Sequence, residues 1–216
     1  MESLNRLREA LKRRYPGEQA SILAEILVLA SEKGRISYGE INCDEETKRS
    51  LLLLAYKERL LLPVKTSEPS ISLSWQDRIL TAKAGETYEM PNVIRHLINH
   101  TRETGEWNPE IAVKKYLEEI AEPEAEKMLA VFKEIRQEII HSKQPSTFKI
   151  KPNLIKLAAE KQGLNVNMNK LIVELKGGGI ISPNITNPTK EGLTYEVNPA
   201  LIIIHKTYKQ ESKTCL

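Results

Sequence analysis

Large aromatic side chains are scarce in this sequence, with two phenylalanines and two tryptophans among 216 residues and aromatics at 5% overall. The core must therefore be built largely from Leu, Ile, Val and Ala. Cysteine is rarer still. Cys43 and Cys215 are the only two, far apart and without CxxC or His-Cys spacing, which excludes a disulfide framework or a zinc site. Apolar runs are short. The longest, Leu51–Tyr56 and Leu201–Ile204, fall well below the roughly 20 residues that cross a bilayer. The first residues, MESLNRLREALKRRYPG, contain no apolar signal core. A cytoplasmic protein with no membrane contact is expected.

Catalytic signatures are missing too. There is no GxSxG, no Cys-His pair in a plausible context and no carboxylate dyad set among aromatics. Gly177-Gly178-Gly179 follows a helical stretch and lacks the Lys-Ser/Thr of a phosphate loop, so helix termination is expected to account for it. His96 and His100 are spaced to share one side of a helix, with Glu103 a turn onward. No HExxH or third strong ligand accompanies them, and a surface pair is the better reading. The sequence thus points to no enzyme, no metal and no cofactor.

What is present is ordinary globular composition, 40% hydrophobic and 28% charged, with a net charge of +3. That charge is uneven. Residues 1–86 hold 14 basic and 13 acidic side chains, 87–146 hold 8 and 11, and 147–216 hold 10 and 5. A polyanion would be drawn to the C-terminal third and repelled by the middle.

Apolar periodicity predicts helices over 3–14 and 19–33, the first ended by Pro16-Gly17 and the second by Gly34. A short strand at 35–37 and a clipped helix at 38–41 follow, and Asp44 caps a helix to about Arg59. Segments 60–65 and 71–75 flank a polar turn with Pro69 and read as a hairpin. From 90 to 141 the pattern is helical in three pieces that begin near Pro91, Pro109 and Pro123. Then come a strand at 147–150 and a helix at 152–162 with Leu154, Leu157 and Ala158 inward. A helix at 167–177, capped by Asn167, follows with Met168, Leu171, Ile172 and Leu175 as its apolar stripe. Strands at 180–182 and 193–197 enclose the polar loop PNITNPTKEG.

The order helix, strand, helix, turn, helix and two-stranded wing resembles the winged-helix-turn-helix superfamily, once over 123–198 and once over 19–75. The resemblance implies a mainly α protein with small β-hairpin wings. A winged-helix domain at 1–86 with a leading amphipathic helix and another at 123–216 would be joined by a helical segment at 87–122. It also implies that helix 167–177 enters the major groove of double-stranded DNA while the wing touches the backbone. The candidate contacts are Asn165, Asn169, Lys170, Thr189 and Lys190, since asparagine can pair with adenine, and lysine with guanine or phosphate.

The N-terminal copy is a poorer reader, because Asp44-Glu45-Glu46 at the head of its helix suits the helix dipole and repels phosphate. The first helix offers Arg6, Arg8, Lys12, Arg13 and Arg14, and its leucines could pack on a second subunit of a homodimer. Two functions remain in view: a DNA-binding transcriptional regulator, and an assembly module that binds a protein partner without DNA contact.

Overall fold

The computed structural model describes residues 2–15, 19–64, 74–142, 148–164, 167–189 and 192–202, with 185–189 and 192 described by their backbone. The chain is mainly helical, with small three-stranded antiparallel sheets. Helix α1 (Glu2–Arg14) and helix α2 (Gln19–Lys33) lead into strand β1 (Arg35–Ser37), a 3-10 turn at Tyr38–Glu40 and helix α3 (Glu45–Lys57). Strands β2 (Leu62–Pro63) and β3 (Thr87–Glu89) complete the first sheet, in the order β1-β3-β2. Helices α4 (Asn92–Thr104), α5 (Pro109–Glu119) and α6 (Ala125–His141) follow. Strand β4 (Lys149–Ile150), helices α7 (Pro152–Lys161) and α8 (Met168–Gly177), and strands β5 (Ile181–Thr189) and β6 (Gly192–Val197) form the second half, closed by helix α9 (Pro199–Ile202). The second sheet runs β4-β6-β5.

Leu62–Pro63 pairs with β3, through Leu62↔Glu89 and Pro63↔Tyr88, and most of the hairpin expected over 60–75 lies outside the described residues. Residues 71–73 lie outside the described residues, and Trp75–Asp77 forms a 3-10 turn started by Ser74, whose hydroxyl accepts from the Gln76 amide. In α7, Leu157 points outward at 53% exposure, while Ile155, Ala158 and Ala159 are buried. The 155/158/159 face follows helical spacing and meets α6; Leu157 lies off it. The polar loop expected at 183–192 is largely strand, with an irregularity between Asn184 and Thr189.

The two halves repeat one another closely. After α3, the Glu58, Arg59 and Leu60 amides donate to the Leu54, Tyr56 and Ala55 carbonyls; after α8, Gly178, Gly179 and Ile180 donate to Glu174, Lys176 and Leu175. These are left-handed helix ends of the same kind, with Arg59 at φ 55° and Gly179 at φ 73°. Ile36 faces Tyr88 across β1–β3 as Ile150 faces Tyr195 across β4–β6, and all four are buried. The Met90 amide donates to Gly34 O at 2.9 Å, and Val197 to Phe148 O at 2.7 Å.

One hydrophobic cluster runs from Leu7 to Ile202. Helix α4 packs on α1, α2 and α5, and α5 packs on α6, so the middle helices share that cluster with both halves. Aliphatic side chains supply most of it, Phe132 and Tyr88 being the largest fully buried aromatics. Each fully buried side chain of this size contributes roughly 1.5–3 kcal/mol.

Candidate nucleic-acid interface

Helix α7 starts on Pro152, whose missing amide proton costs nothing in a first turn. Gly163, at φ 60°, turns the chain toward α8. Asn167 caps α8 by accepting from the Asn169 amide at 2.8 Å. Leu171 and Leu175 are buried, and Met168 and Ile172 pack against the core, so the helix is anchored on one side. Asn169, Lys170 and Val173 are exposed on the other. Of the remaining expected contacts, Asn165 and Lys190 lie outside the described residues. Thr189 ends β5, its backbone paired with Gly192.

Lys170 is exposed but engaged. Its ammonium lies 3.1 Å from Glu122 Oε2 and 3.4 Å from Glu174 Oε1. The Glu122 side chain is only 2% exposed, and Glu174 Oε2 is buried with no hydrogen-bond partner among the described residues. Burial works against the Glu122 carboxylate, yet the Glu124 amide and Lys170 outweigh it and hold its pKa below the usual range. Burial and the facing Glu122 push Glu174 up. Lys170 is raised, chiefly by its hydrogen bond to Glu122. On α7, Lys161 pairs with Glu134 at 2.8 Å and Lys156 with Glu160 at 3.7 Å. Lys176, half-buried at the end of α8, has no ion-pair partner among the described residues. Three lysines of the C-terminal third, Lys156, Lys161 and Lys170, are thus answered by carboxylates of α6, of α7 and α8 themselves and of the turn before α6.

The matching face of α3 differs. Asp44 caps it by accepting from the Glu46 and Thr47 amides. Glu45 accepts from the Tyr38 hydroxyl at 2.5 Å, and Lys48 stacks on the Tyr38 ring at 4.5 Å. Glu46, Arg49, Leu53 and Lys57 are exposed. Helix α1 presses Leu7 and Leu11 into the chain's own core against α2 and α4. Its leucines are therefore not on offer to a second subunit. Arg6 pairs with Glu2, Arg8 with Glu25, and Arg14 stacks on Trp107 at 4.5 Å. His96 meets Glu119 at 2.5 Å, and His100 lies near Thr104.

Helix termination does not account for the glycine run by itself. A Cβ on Gly179 would strike Pro91 Cβ, and one on Gly178 would come within 2.5 Å of the Tyr116 ring. The start of α4 and the middle of α5 approach the end of α8 too closely for side chains there. The Val93 amide donates to Gly178 O at 3.0 Å, and the Tyr116 hydroxyl to Glu174 O at 2.9 Å. Burial pushes the Tyr116 pKa up to about 12.

A protein-family model matches residues 5–207. The chain belongs to that family. Membership brings no activity, ligand or partner with it, and no curated protein and no solved structure matches.

Sequence reasoning overlooked Asn198, Glu122 and Glu174. Asn198, fully buried, donates from Nδ2 to both Arg59 O (3.3 Å) and Gly179 O (3.1 Å). It thereby links the two left-handed turns. Beside it, Arg59 pairs with Glu196 at 3.0 Å, both side chains nearly buried. A signal for this junction was legible: Thr-Tyr-Glu recurs at 87–89 and 194–196, ahead of Met90-Pro91-Asn92 and Val197-Asn198-Pro199. Among the described residues no cluster of three metal-ligating side chains occurs, and no helix is long and apolar enough to cross a membrane.

Proposed function

We propose that the chain is a double-stranded DNA-binding protein, a transcriptional regulator built on two winged-helix units, that docks α8 in the major groove with the β5–β6 hairpin as its wing. The observation that carries this reading is the open outer side of α8, where Asn169, Lys170 and Val173 face away from the buried Leu171 and Leu175. Helix α7, the turn at Gly163, and the antiparallel hairpin behind α8 supply the remaining parts of such a reader. A homodimer, which suits a palindromic site, belongs to the proposal, but α1 no longer argues for it.

Anisotropy with a labelled mixed-sequence duplex tests the reading. Asn169→Glu is expected to weaken binding at least tenfold at low salt, while Arg49→Glu at the matching place on α3 changes it little. No detectable binding of the wild-type chain at low salt would overturn it. Lys170→Ala is a poor probe, since it strands the buried Glu122 carboxylate.

The second reading, a protein-assembly module, draws support from the neutralised lysines and from the exposed Val173 and Leu53 on the outer sides of α8 and α3. Charge pairs within the chain lower the attraction for phosphate, and an apolar centre suits a protein surface. Recovery of a stable protein complex that Val173→Glu disrupts, without duplex binding, would favour it.

A further inference from the structure

A cavity of about 330 Å³ lies where the two halves meet. Its volume is at the lower end of the roughly 300–1,000 Å³ that hold small organic ligands, and junctions between units are where such pockets concentrate. One wall comes from the first half, with Leu62, Trp75, Met90 and Arg78; the other comes from the end of α8 and the start of β5, with Lys176, Ile181 and Ser182. Glycines at the end of α8 bring the backbone itself to the surface of the cavity.

The polar groups in these walls are mostly donors. Arg78 is 3% exposed and pairs with Glu89, which also lines the cavity. Ser182 is 3% exposed, and its oxygen accepts from the Trp75 amide at 3.0 Å. A hydroxyl can donate as well as accept, and no acceptor for the Ser182 proton is present among the described residues. Lys176 adds an ammonium without an ion-pair partner among the described residues. Arg78 and Glu89 pair with one another, and among the described residues of the lining Lys176 supplies the one further charge, a positive one. Buried donors call for acceptors, and one surplus positive charge matches one negative charge better than two. The apolar surface of Trp75, Met90, Leu62 and Ile181 calls for a carbon skeleton.

We propose that this cavity binds a small organic monoanion, a carboxylate with an aromatic or branched aliphatic body. Its carboxylate oxygens accept from Lys176 and the Ser182 hydroxyl, and its apolar end rests among Trp75 and Met90. The proposal is independent of the nucleic-acid reading. Both halves line the site, so occupancy also stabilises their junction by mass action.

Calorimetric titration of the full chain at pH 7 with benzoate, its neutral amide benzamide, and inorganic phosphate tests it. Benzoate is expected to bind at least tenfold more tightly than benzamide and more tightly than phosphate. Lys176→Glu should weaken benzoate at least tenfold and leave benzamide unchanged. Asn92→Trp, at an exposed position on the cavity lining, should weaken both ligands. Equal affinity for benzoate and benzamide, tighter binding of phosphate, an unaltered Lys176→Glu variant, or no benzoate binding at millimolar concentration would each overturn the proposal.

Discussion

The N-terminal and C-terminal halves carry the same turn after the same helix, yet they solve its backbone problem differently. Arg59 holds the left-handed position with a full side chain at φ 55°, while Gly179 holds it at φ 73° with none. The reason lies in what comes near. Pro91 sits against Gly179, so nothing larger fits, whereas Arg59 has room to reach Glu196 in the other half and to stack on Tyr56 at 4.7 Å. Strain in one turn is offset by an ion pair; close approach in the other requires glycine. A repeated fold therefore does not imply repeated chemistry. The same contrast holds on the outer faces, where α8 opens on an asparagine cap and α3 on three consecutive acids.

Substitution at the two turns breaks this contrast most severely. Gly179→Ala is expected to cost about 3 kcal/mol, from left-handed strain plus the collision with Pro91. Arg59→Gly should cost about 2 kcal/mol, because relief of left-handed strain partly offsets the loss of a nearly buried ion pair. Urea unfolding midpoints measure both, and a harmless Gly179→Ala would show that Pro91 can yield.

A smaller effect separates Glu174 from Leu54, which stands at the matching place on α3. The pKa of Glu174 is raised in the folded chain, so above its unfolded value of about 4.3 the folded state holds more protons and stability falls as pH rises. Glu122 runs the other way. Its lowered pKa contributes stability above the unfolded value, and that contribution is lost as pH falls through the folded one. Glu174→Gln should therefore raise stability at pH 7 by up to about 1 kcal/mol, since an amide can donate to Glu122 where a carboxylate cannot. The gain should vanish below pH 4. Thermal unfolding across pH 4–8 would expose the reverse trend if Glu174 were instead held ionised.

The helix caps give the mildest test. Asp44→Ala and Asn167→Ala should each cost about 1 kcal/mol, Asp44 the more because it accepts from two amides and Asn167 from one. Equal losses in denaturant unfolding would mean the second amide bond adds nothing.

Much of the local structure was legible. Asp44 and Asn167 announced their helices, Pro109 and Pro152 marked helix starts, and the stripe Met168, Leu171, Ile172 and Leu175 packs on the core. Pairing across distance was not. A strand beside Leu62 comes from Thr87–Glu89, more than twenty residues on, and no local pattern announced it. Local patterns register propensity, while a sheet is decided by which segments the helices bring together. The outward face of α8 was readable from its apolar stripe; the engagement of Lys170 was not, because Glu122 lies 48 residues away in the chain. Nor did the glycine run disclose Pro91 and Tyr116 as its neighbours, which belong to helices far upstream.

Asn198 carries a consequence for motion. One primary amide has two N–H groups, and here both are directed to carbonyls of opposing turns. Swivelling one half against the other would strip at least one of those protons of its acceptor in a dry interior, a cost of about 1–3 kcal/mol before any packing is disturbed. The halves should accordingly tumble in solution as a single rigid piece. Whatever grips α8 then encounters α3 at a distance set in advance, like the second jaw of a fixed calliper.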